Sequence, residues 1–543
     1  MMSLHFRKTV LIDLLLLVLV GGIVFFPSLD IYFLSDNVSH ILRASESVAT
    51  RDFRYFRPLA EFSLVADLSL WGMNAFGFHL TNLLLHLTNA ILLYLLAGEL
   101  MSARLFALTA ALLFLLHPVH SLSIFWISGR SDMLCGIFFL LSLSGFIYVD
   151  RSGKQWARWG SLAGFLLALF SKEMALSLPL LLLFYVLIFR EGTLKNRALD
   201  GLRRTLPYWF LLAGYLLFRL WMIGENAFSN EAHQFSGILQ LVKNLATYAG
   251  LLMVPGGHVE IANIFRAHPN LFLALSLLVL IGGLISLRWV VRDARLLFFC
   301  GFILISLLPV IRLMMRWYLY IPSLGFCLAA AYLLQILYRR FNTRQRFNPA
   351  YFLAALLFLT YGFFIHQEQQ RWWRAGEISR DVSGQIAREA QAQQLDSCLF
   401  LNLSSELEEV PVNLYGLETL VNYRLADEFH HERHLKIEPV CYISWQHPED
   451  LDHQQLERLD ERSFRISLEA TGSFFVFPEH QRFHRSRAGI AIGTVLETAN
   501  YRQIIEQLDL RREVVAVQVD VTNPRIALLY QLDGRVFTLA GNE

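Results

Sequence analysis

Charged side chains are scarce in this chain: 17% of its 543 residues are Asp, Glu, Lys or Arg, where a soluble domain carries about 25%. That scarcity, beside 55% hydrophobic residues and 43 phenylalanines, excludes a wholly soluble fold. A surplus of one sign is missing too. The net charge of +2 provides no basic field of the kind that holds nucleic acid. Cysteine is sparse, five in all, with neither a CxxC pair nor a zinc-type spacing. Cys135, Cys300 and Cys327 fall in apolar stretches and read as small core hydrophobes. Cys398 and Cys441 lie in the polar tail and read equally as one disulfide of an oxidising compartment or as two buried thiols. A small-x-small cleavage site is absent after MMSLHFRKTVLIDLLLLVLVGGIVFF, so this basic start and apolar run read as a retained first span.

Long apolar runs are what the chain has in abundance. A helix needs about 20 apolar residues to cross a bilayer core of about 30 Å. Runs at 10–28, 80–97, 105–117, 132–149, 157–171, 175–189, 206–223, 269–288, 296–311, 319–337 and 349–366 predict a polytopic α-helical membrane protein of about eleven spans. Lys and Arg set its orientation. With the N-terminus inside, Arg7, Lys8, Arg104, Arg151, Arg158, Arg190, Arg203, Arg204, Arg292, Arg339 and Arg340 fall in cytoplasmic loops. An odd number of spans then places the C-terminus outside. Two outward loops are long, about 29–79 and about 224–268, and each holds an amphipathic stretch such as FSGILQLVKNLATYAGLLMV, expected in the interface.

Residues 1–366 are therefore expected to form the transmembrane domain and 367–543 a soluble extracytoplasmic α/β domain. In the latter, SFRISLEA, GSFFVFPE and EVVAVQVDV predict strands and NYRQIIEQLDLRRE a helix. No repeat of about 34 residues occurs in it. Trp372 and Trp373, just past the last span, are expected to anchor in the interface, and HHERH at 430–434 is expected to be a solvated face.

Ionisable groups beside spans cost free energy and are usually functional. On this topology Asp30, Asp36, Arg57, His79, His117, His120, Arg130, Asp132, Lys172, Glu173, Arg312 and Arg316 all fall near the outer leaflet. One shared outward-facing polar cavity accounts for them; a set of separate salt bridges is the alternative. His79, Asn82, His86 and Asn89 share one helix face, which must meet other helices or a cavity. The deeper pair, His86 and Asn89, suits hydrogen bonding between helices, and His79 suits a site. The two imidazoles of HPVH, His117 and His120, fall short of a metal's ligand set, so no cofactor is assigned and a divalent metal lacks a clear ligand set. Lys172 and Glu173 in SKEM, and Arg316 with Tyr318 and Tyr320 in RWYLYIPS, could hold a phosphate, although the tyrosines also suit an interface belt. Arg57 could equally pair with a loop carboxylate, Arg130 with Asp132, and Glu173 could orient Lys172.

These motifs resemble a known family. FRPLAEFSLVADLSLWGMNAFGFHLTNLLLHLTNAILLY, HPVHSLSIFWISGRSDMLCGIFFLLSL, ALFSKEMALSLPLLLL and RWYLYIPSLGFCL are similar, in order, to the membrane region of transmembrane-and-TPR O-mannosyltransferase-like proteins. Those proteins belong to the GT-C glycosyltransferases, with the protein mannosyltransferases and aminoarabinose transferases. The likeness covers roughly residues 10–375, and the tail lacks the family's TPR array. The resemblance implies a GT-C-like fold. It also implies transfer of a sugar from a polyprenyl-phosphate carrier to a lipid, glycan or protein acceptor outside the membrane, with inversion; the expected location is a bacterial inner membrane. It implies a first-loop carboxylate as general base. In YFLSDNVSHI only Asp36 carries over, because Asn37 stands where the family often has a second acid, and Asp30 is the fallback. Arg57, Lys172 and Arg316 would bind the leaving phosphate, assisted by His117 or His120; His79, Arg130, Glu173 and Tyr320 complete the expected substrate-binding set. An oligosaccharide transferase of the same fold and a lipid-linked-substrate transporter or flippase are the rival readings.

Overall fold

The structure is a computed structural model and describes residues 4–45, 56–101, 103–223, 237–254, 270, 290–341, 348–408, 410–413, 415–430, 434–445, 454–468, 473–475, 492–508, 514–523, 526–532 and 535–539. Its packing forms two units: Met1–Leu29 with Ala44–Gln369, and Asp30–Arg43 with Gln370–Glu543. The first-loop segment at 30–43 therefore belongs with the C-terminal unit, which a linear boundary at 366/367 does not anticipate.

The first unit is helical. In chain order the helices are α1 (Leu4–Phe25), α2 (Asn37–Ser45), α3 (Pro58–Trp71), α4 (Ala75–Met101), α5 (Arg104–Leu116), α6 (Ser121–Phe125), α7 (Arg130–Ser152), α8 (Trp156–Ser171), α9 (Leu178–Phe189), α10 (Leu194–Ile223), α11 (Ile238–Met253), α12 (Ala294–Leu307), α13 (Tyr320–Phe341) and α14 (Pro349–Gln393). Of these, α2 lies mostly in the second unit, and α14 runs through the 369/370 division. Each expected apolar run coincides with a helix except 269–288, which lies outside the described residues. Among the described residues, five helices are long and apolar enough to cross a membrane, or six if α5 and the bent Pro118–Phe125 segment count as one. The protein is thus an integral membrane protein, but a count of eleven spans does not emerge. The 12 residues of α9, at 1.5 Å each, reach about 18 Å and do not cross alone.

Local chemistry explains the element boundaries. Pro58 opens α3, where its missing N–H is no loss. The Asp293 carboxylate caps α12 by accepting from the Arg295 and Leu296 N–H groups. α7 and α8 approach closely through small residues. Ser142 donates to the Ser161 carbonyl at 2.7 Å, and Ser161 returns a bond to Ser142 at 2.6 Å. The amphipathic stretch of the second long loop is α11. It presents Asn244, Tyr248 and Leu252 on one face, and that face is held by the chain: Asn244 donates to the Ile311 and Arg312 carbonyls and Tyr248 to that of Leu313.

In the second unit the strands are β1 (Ser397–Leu407), β2 (Val410–Pro411), β3 (Lys436–Trp445), β4 (Gln454–Arg458), β5 (Ser463–Leu468), β6 (Ser473–Phe475), β7 (Val495–Glu497), β8 (Tyr501–Leu508), β9 (Val514–Val521), β10 (Ala527–Leu532) and β11 (Arg535–Leu539), with α15 (Leu417–Phe429) between β2 and β3. The sheet order is β11-β10-β1-β3-β6-β9-β5-β4. β1 lies parallel to both β3 and β10, and its near-continuous burial is that of a strand covered on both faces. Val382, Ile386 and Ala390 of α14 and Val421 and Leu425 of α15 pack against Cys398, Phe400 and Leu529 as the core. The sheet curls so that Gln454 of β4 meets Asn402 of β1 and Gln503 of β8 meets Cys441 of β3.

The strand expectations over SFRISLEA and EVVAVQVDV hold as β5 and β9; of GSFFVFPE, Ser473–Phe475 is β6 and 476–479 lie outside the described residues. The helix expected over 500–513 is a correction: its described part is β8, paired with β9 along Tyr501↔Val521 to Leu508↔Val514. Its Gln, Glu and Arg suit a helix, but Tyr501, Gln503 and Ile505 are buried in alternation, and cross-strand packing overrides weak propensity. Cys398 and Cys441 are buried free thiols. Cys441 pairs in register with Asn402, four residues beyond Cys398. That offset is on the order of 13 Å along the strand, against the about 7 Å limit between α-carbons of a disulfide. Trp373 is exposed, but Trp372 is buried within the protein and is no interface anchor. Of HHERH, residues 431–433 lie outside the described residues, and His434 is exposed.

Candidate functional site

The polar stripe of α4 is buried throughout. Asn82 donates to the Ile124 and Trp126 carbonyls at 3.1 and 3.2 Å, and Asn89 to those of Leu85 and Met133, both at 2.9 Å. His86 bonds the Leu115 carbonyl through Nε2, at 3.1 Å, and Tyr320 Oη through Nδ1, at 2.9 Å. A carbonyl only accepts, so Nε2 carries the proton and the Tyr320 hydroxyl donates to Nδ1. The deeper pair therefore ties helices together. Tyr320 is a buried partner of His86, not an interface anchor, and His79 is likewise buried.

The charged residues meet as ion pairs where α7 begins, α8 ends and α13 begins. The Lys172 ammonium lies 2.7 Å from both oxygens of Asp132, with each side chain only 2% exposed. Arg57 bonds both Glu173 oxygens, at 2.8 and 3.0 Å, and reaches Ser131, beside Asp132, at 3.4 Å. The Lys172 ammonium also sits 5.1 Å from the Tyr318 ring centre. Arg130 pairs with Asp67 at 2.7 Å and donates to the Ser63 and Phe78 carbonyls; Thr81 completes that knot by donating to Asp67. Arg130 and Asp132 do not pair with each other, because two positions along a helix point about 200° apart. Glu173 serves Arg57, not Lys172.

The HPVH turn builds the neighbouring part. The Val119 N–H donates to His117 Nδ1 at 3.2 Å, so His117 Nε2 carries the proton and donates to the Leu252 carbonyl at 3.0 Å. His120 Nε2 meets the Ser323 hydroxyl at 2.7 Å. The rings of His86, His120 and Tyr320 cluster as a triangle, with centroids 5.3 Å (His86–His120), 4.9 Å (His120–Tyr320) and 5.8 Å (His86–Tyr320) apart, and His117 lies 5.7 Å from His120. Arg316 donates to the Pro118 carbonyl at 2.7 Å and to Glu368 at 3.2 Å, and Glu368 also accepts from Ser121 at 2.8 Å. Among the described residues, no three His, Cys, Asp or Glu side chains converge as a metal site requires.

Each cation of the expected substrate-binding set is thus matched with a carboxylate. Exposure sorts them: Arg57 is 24% and Arg316 10% exposed, against 2% for Lys172 and 1% for Arg130. The first two side chains are partly exposed and the other two are buried.

Asp36 lies in the C-terminal unit. It accepts from His40 Nε2 at 3.0 Å, one helical turn on, and Arg43 donates to His40 Nδ1 at 2.8 Å. A guanidinium only donates, so Nδ1 holds a lone pair and the imidazole presents its Nε2–H to the carboxylate. Sequence reasoning missed four of these partners. His40 and Arg43 stand four and seven positions after Asp36, a spacing that was legible. Asp67 was a lone acid in the apolar run SLVADLSLW, whereas Glu368 had only its place in the Gln-rich stretch after the last span.

No known protein-family profile matches the chain. It is similar to protein O-mannosyl-transferases: 26% identical over 438 residues to Tmtc3 of Drosophila melanogaster, covering 65% of this chain and 46% of that protein. It is 36% identical over 107 residues to human TMTC1, covering 20% and 12%, and 31% identical over 157 residues to human TMTC4, covering 26% and 21%. The chain thus matches less than half the length of each. Among solved structures, that of ArnT from Cupriavidus metallidurans bound to undecaprenyl phosphate aligns with a TM-score of 0.42 at 14% identity, over 79% of this chain and 92% of that one. By sequence, then, the chain resembles the transmembrane-and-TPR protein O-mannosyl-transferases, as its motifs imply.

Proposed function

We propose that the protein is a glycosyltransferase of GT-C type that moves a sugar from a polyprenyl-phosphate carrier to a lipid, glycan or protein acceptor. The observation that carries this reading is the alignment with a protein named as an O-mannosyl-transferase over 65% of the chain. The reaction faces the outer side of a bacterial inner membrane, with the N-terminus cytoplasmic and the C-terminal unit periplasmic.

In this mechanism Asp36 takes the acceptor hydroxyl proton, a role worth about 10²–10⁴ in rate. The hydroxyl oxygen bonds to the anomeric carbon as the bond to phosphate breaks on the opposite face, inverting that centre. The phosphate leaves with the electron pair, and Arg57 and Arg316, the less buried cations, stabilise it. The Lys172–Asp132 pair ties the end of α8 to α7. The His40 N–H bonds one Asp36 oxygen at 3.0 Å and so orients the carboxylate.

The test compares envelope glycans and glycoproteins by mass spectrometry in cells lacking the gene, then complemented. The wild type restores a missing sugar mass. Asp36→Asn, at equal membrane level, restores about a hundredth or less. Full restoration by Asp36→Asn removes the proposed base, and an unchanged glycan profile on deletion removes the transferase reading.

A further inference from the structure

We propose that the C-terminal unit positions Asp36, with Gly416 and Ser35 as the positioning residues; this rests on the reading of Asp36 as general base. Three observations within that unit carry it.

First, Ser35 adopts a left-handed backbone, φ 50°, immediately before Asp36. A non-glycine residue holds that conformation only when its surroundings impose it. The imposing bonds come from the turn between β2 and α15. The Ser35 N–H donates to the Val412 carbonyl at 2.7 Å, and the Tyr415 N–H donates to Ser35 Oγ at 3.3 Å.

Second, two glycines admit the segment. Gly416, φ 78°, ends that turn, and a Cβ there would come 2.6 Å from Ser39 Oγ, 2.8 Å from the Ser35 carbonyl oxygen and 3.2 Å from the Asp36 Cα. A Cβ on Gly376 of α14 would come 2.9 Å from the Tyr32 backbone nitrogen. The two elements close on the segment at different points along it.

Third, the contact continues through side chains. The Arg380 guanidinium stacks 4.8 Å from the Tyr32 ring centre, and Ile31, Phe33, Leu34 and Ser35 are all buried. The Asp36–His40–Arg43 chain therefore starts from a backbone fixed by residues more than 340 positions away (Tyr415 to Ser35 is 380). On this view the tail is part of the catalytic machinery, because a displacement near 1 Å at a reacting group can cost about a hundredfold in rate.

The experiment uses the full-length protein in nanodiscs and the complemented cells described above. Gly416→Ala raises amide exchange in 31–40 by about tenfold or more while 514–521 stays protected, and the restored sugar mass falls by about tenfold or more at equal protein level. Gly376→Ala does the same without the demand of a positive φ. Gly493→Ala is the control, since Gly493 has φ 84° but open space around its Cβ position, and it changes neither readout. If Gly416→Ala opens the whole unit, Gly376→Ala decides alone. Unchanged exchange at 31–40 in Gly416→Ala and Gly376→Ala refutes the docking. Raised exchange with full sugar transfer refutes the positioning role. Full transfer by Asp36→Asn instead removes the base, and with it the catalytic part of the proposal, while the exchange data still report the docking.

Discussion

Both units bury neutral polar groups, but only the membrane unit also buries full charges among the described residues. The membrane unit buries full charges in pairs, Lys172 with Asp132 and Arg130 with Asp67, each side chain at most 4% exposed. The C-terminal unit buries neutral amides: Asn402 donates to Gln454 Oε1 at 2.8 Å and to the Gln531 carbonyl at 2.6 Å, and accepts from the Gln531 N–H at 2.8 Å. An amide network at a strand is satisfied by the backbone groups it meets. A buried charge loses several kcal/mol of hydration that only a well-placed partner offsets. The membrane unit thus carries a desolvation cost that an apolar core avoids.

Breaking this contrast begins with the charges. Lys172→Ala leaves the Asp132 carboxylate buried alone and destabilises the membrane unit by about 3–5 kcal/mol, seen as a large fall in the thermal midpoint of detergent-solubilised protein. The double variant Lys172→Met with Asp132→Leu recovers most of that loss. A double variant as unstable as the single one would mean that the charges support more than each other. The amide network gives a smaller response. Asn402→Leu removes the partners of the Gln531 backbone and costs about 1–3 kcal/mol, measured as a midpoint shift in the C-terminal unit. The smallest effect concerns the thiols. Burial, aided by Glu418, pushes Cys398 up to about 12, and burial also raises Cys441. A raised thiol is protonated at pH 8, with a thiolate fraction for Cys398 of about 10⁻⁴. Neither reacts with maleimide in the folded protein, both react after denaturation, and reductant leaves the midpoint unmoved. Labelling of the native protein would contradict the buried strand register.

The helical pattern of the membrane unit was legible because its signal is local. Apolar run length and the 3.6-residue period placed α4 and its polar face directly. β8 was not legible, since its composition favours a helix and its pairing with β9 is a tertiary fact. The ion pairs were hidden for a related reason. Arg57 and Glu173 lie 116 residues apart, and local pattern does not choose among several cations and carboxylates gathered at one end of a bundle. The natural guess, Arg130 with Asp132, fails on helix geometry, while the true partner, Asp67, sits on α3.

The sequence alone determined that this chain crosses a membrane, which helix faces are polar, and where charged groups concentrate, because hydrophobicity and periodicity act over one or two helical turns. Tertiary structure decided which charges neutralise one another and that the Asp36 loop is held by the C-terminal unit. Both depend on contacts closed over loops of tens to hundreds of residues, where the identity of the partner is fixed by packing and not by neighbours in the chain.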